Sequence, residues 1–163
     1  MMLDYLGIFK RFNEEGIRYI VVGGMAVNLH GIPRMTYDID LLLDMDDRNI
    51  ESFIQLLTGW GFKPKVPVDI AEFADSAKRN DWIKNKNMKA FNLMNPEWAI
   101  REIDILIDAP VDFAKADRGK KVVLIQNVQV PVIGIDDLIV MKEKADRQQD
   151  AADVRSLKEL RDE

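Results

Sequence analysis

Hydrophobic and polar positions alternate along the chain with both helical and strand periods, which predicts a mixed α and β protein. Apolar residues at helical spacing predict a helix over residues 2–15, which Gly16 ends. A β-branched and aromatic run then predicts a buried strand over 17–22. A short helix over 25–30 and a second strand over 36–43 are predicted to follow.

The rest of the chain continues the same alternation. It predicts a helix from a cap at Asp46-Asp47 to about 58 and a second helix over 69–85. Strands over 89–94 and 99–107, joined by a turn at 95–97, are predicted next, and a short helix over 111–118 follows them. A hairpin of 122–125 and 128–132 and a helix capped by Asp136 complete the prediction. At 163 residues we expect one domain, 1–163, with a core at about 17–133 and C-terminal helices at about 135–161.

The second strand carries two carboxylates. Asp38 and Asp40 point to one side of the strand with Cα atoms ~6.6 Å apart, while Ile39 and Leu41 point into a core. Only Arg34 is a nearby cation in the sequence, so a hard divalent ion is the expected remedy for their repulsion. Two such ions clamping a phosphate would fit the pair. The alternative is a solvated strand face.

Two glycines separate the first strand from the short helix. Gly23 and Gly24 have no side chains, so backbone amides at the helix start can approach phosphate oxygens closely. The alternative is an ordinary turn. The glycines and the acidic strand together favour a metal–phosphate site.

These motifs resemble those of a known superfamily. Gly23-Gly24 followed by Asp38-Ile39-Asp40 resembles the signature of the DNA polymerase β-like nucleotidyltransferases. The run from His30 to Asp40 is similar to small bacterial members related to the AbiEii toxins. The resemblance implies a nucleotidyltransferase-type mixed sheet, Mg²⁺ (or Mn²⁺), an NTP such as ATP, and nucleotidyl transfer. It implies catalytic and metal-binding roles for Asp38 and Asp40, and nucleotide-binding roles for Gly23, Gly24, Arg34 and Thr36.

The same family supplies a third carboxylate from a later strand with the pattern apolar-Asp-apolar. Ile103-Asp104-Ile105 matches that pattern, so Asp104 is predicted as a third catalytic and metal-binding residue. Glu102 is the alternative on the same strand face. Both acids could instead lie on the wet face of an edge strand.

The C-terminal helical region contains a further acidic and basic pattern. Lys142 lies among core positions and should face a phosphate or a carboxylate. Arg147, Asp150 and Asp153 recur at spacing three, which by itself indicates a surface ion-pair ladder. Together they resemble the downstream Lys…Arg-x-x-Asp-x-x-Asp element of the AbiEii-related group, which implies that all four bind nucleotide.

Composition narrows the remaining choices. There is no cysteine, no apolar run long enough for a membrane span and no visible secretion signal, so a cytoplasmic protein with no membrane partner is expected. A net charge of −5 argues against non-specific polyanion binding. The basic cluster at 78–89 is predicted to be a solvated helix face, with triphosphate or acceptor contact as the alternative. His30 is predicted to be structural.

Two functional hypotheses follow. The first is a two-metal nucleotidyltransferase that moves a nucleoside monophosphate from an NTP to a tRNA, a protein hydroxyl or a small molecule such as an aminoglycoside. The second is a non-catalytic nucleotide-binding regulator or one half of a toxin–antitoxin pair, which would bind an antitoxin partner. The presence of all three acids favours the enzyme.

Overall fold

The computed structural model describes residues 2–163, and these form seven strands, seven α-helices and one 3₁₀ helix. The strands are β1 Tyr19–Val22, β2 Asp38–Leu43, β3 Lys63–Pro64, β4 Ala90–Met94, β5 Glu102–Leu106, β6 Lys121–Ile125 and β7 Val128–Val132. The α-helices are α1 Tyr5–Glu14, α2 Gly23–Leu29, α3 Asp47–Gly59, α4 Ser76–Lys86, α5 Phe113–Gly119, α6 Ile135–Ala145 and α7 Gln148–Arg161, and the 3₁₀ helix is Ile70–Ala74.

All seven strands lie in one mixed sheet in the order β3-β4-β5-β2-β1-β7-β6. Strand β2 is antiparallel to β1 and parallel to β5, so it has a partner on both sides. The predicted mixed sheet flanked by helices is confirmed, and two further helices end the chain.

Aromatic side chains fasten helices α1, α3 and α4 to one face of the sheet. Phe12 of α1 lies 5.1 Å from Tyr19 of β1 and 5.8 Å from Phe53 of α3, measured between ring centroids. Trp82 of α4 stacks on Phe91 of β4 at 5.3 Å. These residues are buried and make this the apolar face. Because strand side chains alternate, the intervening residues of β2, β4 and β5 point to the opposite face.

Several predicted boundaries are corrected. Strands β1, β2, β4 and β5 begin one to three residues later than predicted, and α2 begins at Gly23 instead of residue 25. The largest strand difference is at β5, where residues 99–101 belong to a loop. Trp98 is buried in that loop beside Trp60, at 5.4 Å between centroids, and the Asn95 amide side chain donates to the Trp60 carbonyl. Packing of the tryptophan therefore keeps the chain out of the sheet until Glu102.

Two helix predictions are also corrected. The predicted helix over 69–85 is divided at Asp75, whose carboxylate accepts hydrogen bonds from the Ala77 and Lys78 amides and so caps α4. Helix α6 has Gly134 as its N-cap, and Asp136 lies in its first turn instead of at the cap. The predicted hairpin is confirmed: Gln126 and Asn127 both have positive φ, which matches a two-residue turn between β6 and β7.

None of the helices in the described residues is both long enough and apolar enough to cross a bilayer.

Candidate active site

Four carboxylates lie together on the face of the sheet opposite the aromatic cluster. In the parallel pairing of β2 with β5, Asp38 is level with Glu102 and Asp40 is level with Asp104. Residues two apart on a strand share a face, so each strand contributes two acids to one patch. Carboxylate oxygens of Asp38, Glu102 and Asp104 all lie within 4.8 Å of one another. The structure thus brings the three predicted acids to one face and adds Glu102.

Burial and mutual repulsion work against ionisation in this patch. Burial raises the pKa of Asp40 and of Asp104 well above the usual range for an aspartate. Burial, and then the neighbouring charge of Glu102, raises the pKa of Asp38. Two neutral or cationic neighbours offset part of the repulsion. The Asn92 side chain donates to Asp104 at 2.8 Å, and Lys65 donates to Glu102 at 3.0 Å.

The patch fits a hard divalent cation. Carboxylate oxygens are the ligands that Mg²⁺ and Mn²⁺ prefer, and a bound cation would relieve the repulsion that raises these pKa values. Glu102 offers an oxygen within 4.8 Å of oxygens from both Asp38 and Asp104, so Glu102 joins the predicted ligand set. The carboxylate of Asp40 lies against the glycine turn. The predicted metal roles of Asp38, Asp40 and Asp104 remain predictions.

The glycine turn is shaped by Asp40. Gly23 begins α2 with φ +66°, a conformation that favours glycine, and a Cβ atom there would overlap Oδ2 of Asp40. At Gly24, a Cβ atom would lie 3.1 Å from Cζ of Arg34. The turn therefore lies between the Asp40 carboxylate and the Arg34 guanidinium. Its predicted role of binding phosphate stays a prediction, and the structure gives Gly23 a second reason to be glycine.

The four residues of the C-terminal element form an ion-pair network with Arg34. Lys142 of α6 contacts Asp150 at 3.2 Å and Asp153 at 3.0 Å, both from α7. Arg147 donates to Asp150 at 2.6 Å, and Arg34 pairs with Asp153. The interpretation of this stripe as a surface ladder is wrong, because Asp150, Asp153 and Lys142 are buried. The partners of Lys142 are two carboxylates, one of the two alternatives left open by the sequence.

The remaining singled-out residues lie elsewhere or have structural contacts. Thr36 donates its hydroxyl to the Asp38 carbonyl at 3.0 Å, and its predicted nucleotide role remains untested by this contact. His30 is buried, and its Nε2 lies 2.7 Å from the Ile133 carbonyl, in keeping with the structural interpretation. The basic cluster belongs largely to α4, which packs on the face opposite Asp104. That position argues against contact with the triphosphate.

A cleft of about 940 Å³ opens beside Asp38. The loop before β2 and the loop before β5 form its walls, which include Arg34, Tyr37, Trp98 and Arg101. Tyr37 is 60% exposed although it is a large aromatic residue. The sequence interpretation missed Trp98 and Arg101 as part of the site because residues 95–101 were divided between a turn and a strand. The only sequence signal was a tryptophan and an arginine flanking the start of an acidic strand.

Comparison with known proteins identifies the family of this chain. The sequence matches the family model described as "Nucleotidyltransferase of unknown function (DUF6036)" over residues 8–162. The chain belongs to this nucleotidyltransferase family. No curated protein matches this chain. The predicted superfamily is thus confirmed at the level of nucleotidyltransferases, whereas the closer relation to AbiEii toxins remains a prediction.

Solved nucleotidyltransferase structures share the fold of this DUF6036 protein. The lincosamide antibiotic adenylyltransferase LnuA, bound to lincomycin, has a TM-score of 0.64 and 18% identity, and the match covers 98% of each chain. ANT(2″)-Ia in complex with adenylyl-2″-tobramycin has a TM-score of 0.58 and 15% identity over 94% of this chain and 90% of that one. An antigenic nucleotidyltransferase-like protein from Paracoccidioides brasiliensis has a TM-score of 0.58 and 17% identity over 95% and 72%. At these identities the likeness establishes the fold.

The raised carboxyl pKa values predict how stability depends on pH without metal. Their pKa is about 6 for Asp40 and about 8 for Asp104, so between pH 4 and pH 8 the folded protein binds more protons than the unfolded chain. These groups therefore stabilise the fold most at low pH, and their contribution is lost as the pH rises through 6 to 8. The free energy of unfolding, measured with urea in EDTA, should fall more between pH 5 and pH 8 for wild type than for Asp104→Asn. An equal loss in the two proteins would contradict the prediction.

Proposed function

We propose that this protein is a metal-dependent nucleotidyltransferase that moves a nucleoside monophosphate from an NTP to a small-molecule acceptor. The observation that carries the proposal is the patch of four carboxylates on β2 and β5 beside the glycine turn. Hydride transfer by a dehydrogenase would not require such crowded acids next to backbone amides. Phosphoryl chemistry does, because it needs cations held at oxygen ligands and donors aimed at phosphate.

Each part of the site has a role in this proposal. Asp38, Asp40 and Asp104 would hold Mg²⁺ or Mn²⁺, with Glu102 close enough to share in the coordination. When bound, the cations supply Lewis-acid stabilisation of the negative charge that develops on the phosphates. The acceptor oxygen or nitrogen would attack the α-phosphorus and give its proton to a carboxylate of the patch, while the bond from the α-phosphorus to the oxygen that bridges the α- and β-phosphates breaks and pyrophosphate leaves. No covalent enzyme intermediate is needed.

The glycine turn and Arg34 supply the phosphate-facing side. Because Gly23 and Gly24 have no side chains, the Asp40 carboxylate lies directly against Gly23 and the Arg34 guanidinium lies directly over Gly24. A planar guanidinium offers several N–H donors in the geometry that phosphate oxygens accept. These groups would orient the triphosphate so that its α-phosphorus faces the carboxylates.

A small-molecule acceptor is favoured over tRNA by the cleft and by charge. The cleft beside Asp38 has a volume of about 940 Å³, which is in the range of sites for drug-sized ligands. The chain carries a net charge of −5 and places four acids at the site, whereas a polyanion needs a basic surface. LnuA and ANT(2″)-Ia, which share the fold, are bound to an antibiotic and to an adenylylated antibiotic. A toxin role and an antitoxin partner remain predictions from the AbiEii resemblance alone.

The proposal is tested by a search for products. Wild-type protein is incubated with Mn²⁺, each NTP labelled at the α-phosphate, and separate acceptor pools: aminoglycosides and lincosamides, a small-molecule cell extract, tRNA, and protein. Mass spectrometry should find one nucleoside monophosphate added to a small molecule, with equimolar pyrophosphate, and none with Asp38→Asn. A product in the tRNA or protein pool would refute the small-molecule acceptor but would still support a nucleotidyltransferase. NTP binding with no product and no pyrophosphate in any pool would refute the enzyme.

A further inference from the structure

The ion-pair network between α6, α7 and the loop before β2 is unevenly charged. Its three cations are Lys142, Arg147 and Arg34, and its two anions are Asp150 and Asp153. Lys142 lies between both carboxylates and is 5% exposed, so its charge is already matched inside the protein. A triphosphate could reach it only by displacing two buried acids, and each of those acids would then lose one of its two cations.

Arg147, in contrast to Lys142, is largely exposed to solvent. It is the N-cap residue of α7, its side chain is 71% exposed, and it pairs with Asp150 through Nε and Nη2. It therefore closes the outer end of the network, with its own side chain largely in solvent and its partner Asp150 buried.

Arg34 differs from both of these cations. One end of its guanidinium pairs with Asp153 through Nη1, while its Nε is buried and has no hydrogen-bond partner in the described part of the chain. The same group lies against the glycine turn: a Cβ atom at Gly24 would be 3.1 Å from Cζ, 3.2 Å from Nε and 3.4 Å from Nη2. Arg34 also lines the cleft that contains Asp38. Its remaining donors are thus held where the proposed triphosphate binds.

We propose that Asp153 is a positioning residue that holds Arg34 over Gly24 as the cation that binds the triphosphate, and that Lys142 and Asp150 hold Asp153 without contacting nucleotide. This inference rests on the proposed function and revises its predicted roles for the C-terminal residues. The physical reason is preorganisation. A long arginine side chain on a loop has many conformations, and a buried carboxylate 119 residues further along the chain restricts it to one.

The network also explains why the C-terminal helices belong to the site although they add no nucleotide contact. Helix α6 carries Lys142 and α7 carries both acids, so the packing of the two helices sets the position of Asp153. Loss of Asp153 would leave Lys142 paired with Asp150 but would remove the one carboxylate with which Arg34 pairs among the described residues.

A double-mutant cycle tests this inference, with the dissociation constant of Mn²⁺–NTP measured by calorimetry for the NTP that wild type binds best. Asp153→Asn should weaken binding roughly tenfold or more, the effect typical of outer partners of ligand-binding groups. In an Arg34→Ala background, Asp153→Asn should weaken binding no further, although it should still lower the melting temperature. Asp137→Asn changes the same helix α6 as a control: it breaks a partly buried pair with Lys115 of α5 and should leave binding unchanged.

Equal weakening by Asp153→Asn in both backgrounds, or no weakening in either, would overturn the inference while leaving the proposed function intact. If Asp153→Asn does not fold, Arg34→Lys takes its place. This variant keeps a charge for Asp153 but loses the planar donors over Gly24, so it should fold and bind Mn²⁺–NTP roughly tenfold more weakly. Wild-type affinity in Arg34→Lys would overturn the inference. A wild type that binds no NTP would instead overturn the proposed function together with it.

Discussion

Replacing Asp40 with asparagine is expected to abolish nucleotidyl transfer while leaving the metal-free protein as stable as wild type or more stable. The asparagine keeps the shape of the side chain but removes one of four crowded carboxylates. Transfer should fall by roughly a thousandfold or more, because metal coordination supplies several kcal/mol of transition-state stabilisation and each 1.36 kcal/mol is tenfold in rate. The free energy of unfolding in EDTA should be unchanged or higher by ~1 kcal/mol.

Product formation and urea unfolding measure these two effects on the same preparations. Asp44→Asn is a matched control, because Asp44 follows the other end of β2 and pairs with Arg18 outside the carboxylate patch. It should retain transfer. If Asp40 instead made structural hydrogen bonds, its replacement would destabilise the metal-free fold by ~1–3 kcal/mol. A destabilised Asp40→Asn variant that still transfers nucleotide would contradict the assignment.

Replacing Gly23 with alanine is expected to destabilise the protein far more than the same change at Gly16. Both glycines have nearly the same positive φ, +66° and +67°, so the backbone strain of ~1–2 kcal/mol is common to both. A Cβ atom at Gly16 would have no atom within 4 Å, whereas one at Gly23 would overlap the Asp40 carboxylate. Displacing Asp40 should add about 1–3 kcal/mol or more and should also reduce transfer, since the carboxylate would leave its place beside β5.

The comparison between the two glycines isolates the contact with Asp40. The unfolding free energies of Gly16→Ala and Gly23→Ala should differ only by the cost of the overlap between the added Cβ atom at position 23 and the Asp40 side chain. Most of that difference should vanish when Gly23→Ala is made in an Asp40→Gly background, because the Oδ2, Cγ and Cβ atoms that crowd the added carbon are then absent. Equal destabilisation at Gly16 and Gly23 would show that Asp40 does not press on the turn.

Much of the fold followed from local pattern. The alternation of apolar and acidic residues predicted β2 and β5 and the side of each that carries acids, since side-chain direction in a strand depends only on position. The hairpin at Gln126-Asn127 was equally local, because both residues adopt positive φ. The start of β5 was mispredicted because Trp98 packs beside Trp60, a contact between residues 38 apart that no local pattern reveals.

The site was predicted only in part for the same reason. The pairing of Asp38 with Glu102 depends on the register between β2 and β5, and either acid of β5 could have lain nearer. The spacing of Asp150 and Asp153 matched an exposed helix stripe, yet both are buried. Their burial is due to Lys142 and Arg34, which lie on another helix and on a distant loop. Spacing within one helix cannot report such partners.

The most direct test of the account is the melting temperature of wild type with and without Mn²⁺ and an NTP analogue that resists cleavage between its α- and β-phosphates. Because these ligands bind only the folded carboxylate site, a hundredfold excess over the dissociation constant should stabilise the protein by about 2.7 kcal/mol. Asp40→Asn should show a much smaller rise. A wild type whose melting temperature is indifferent to Mn²⁺ and the analogue would contradict the assignment of this patch as a metal–nucleotide site.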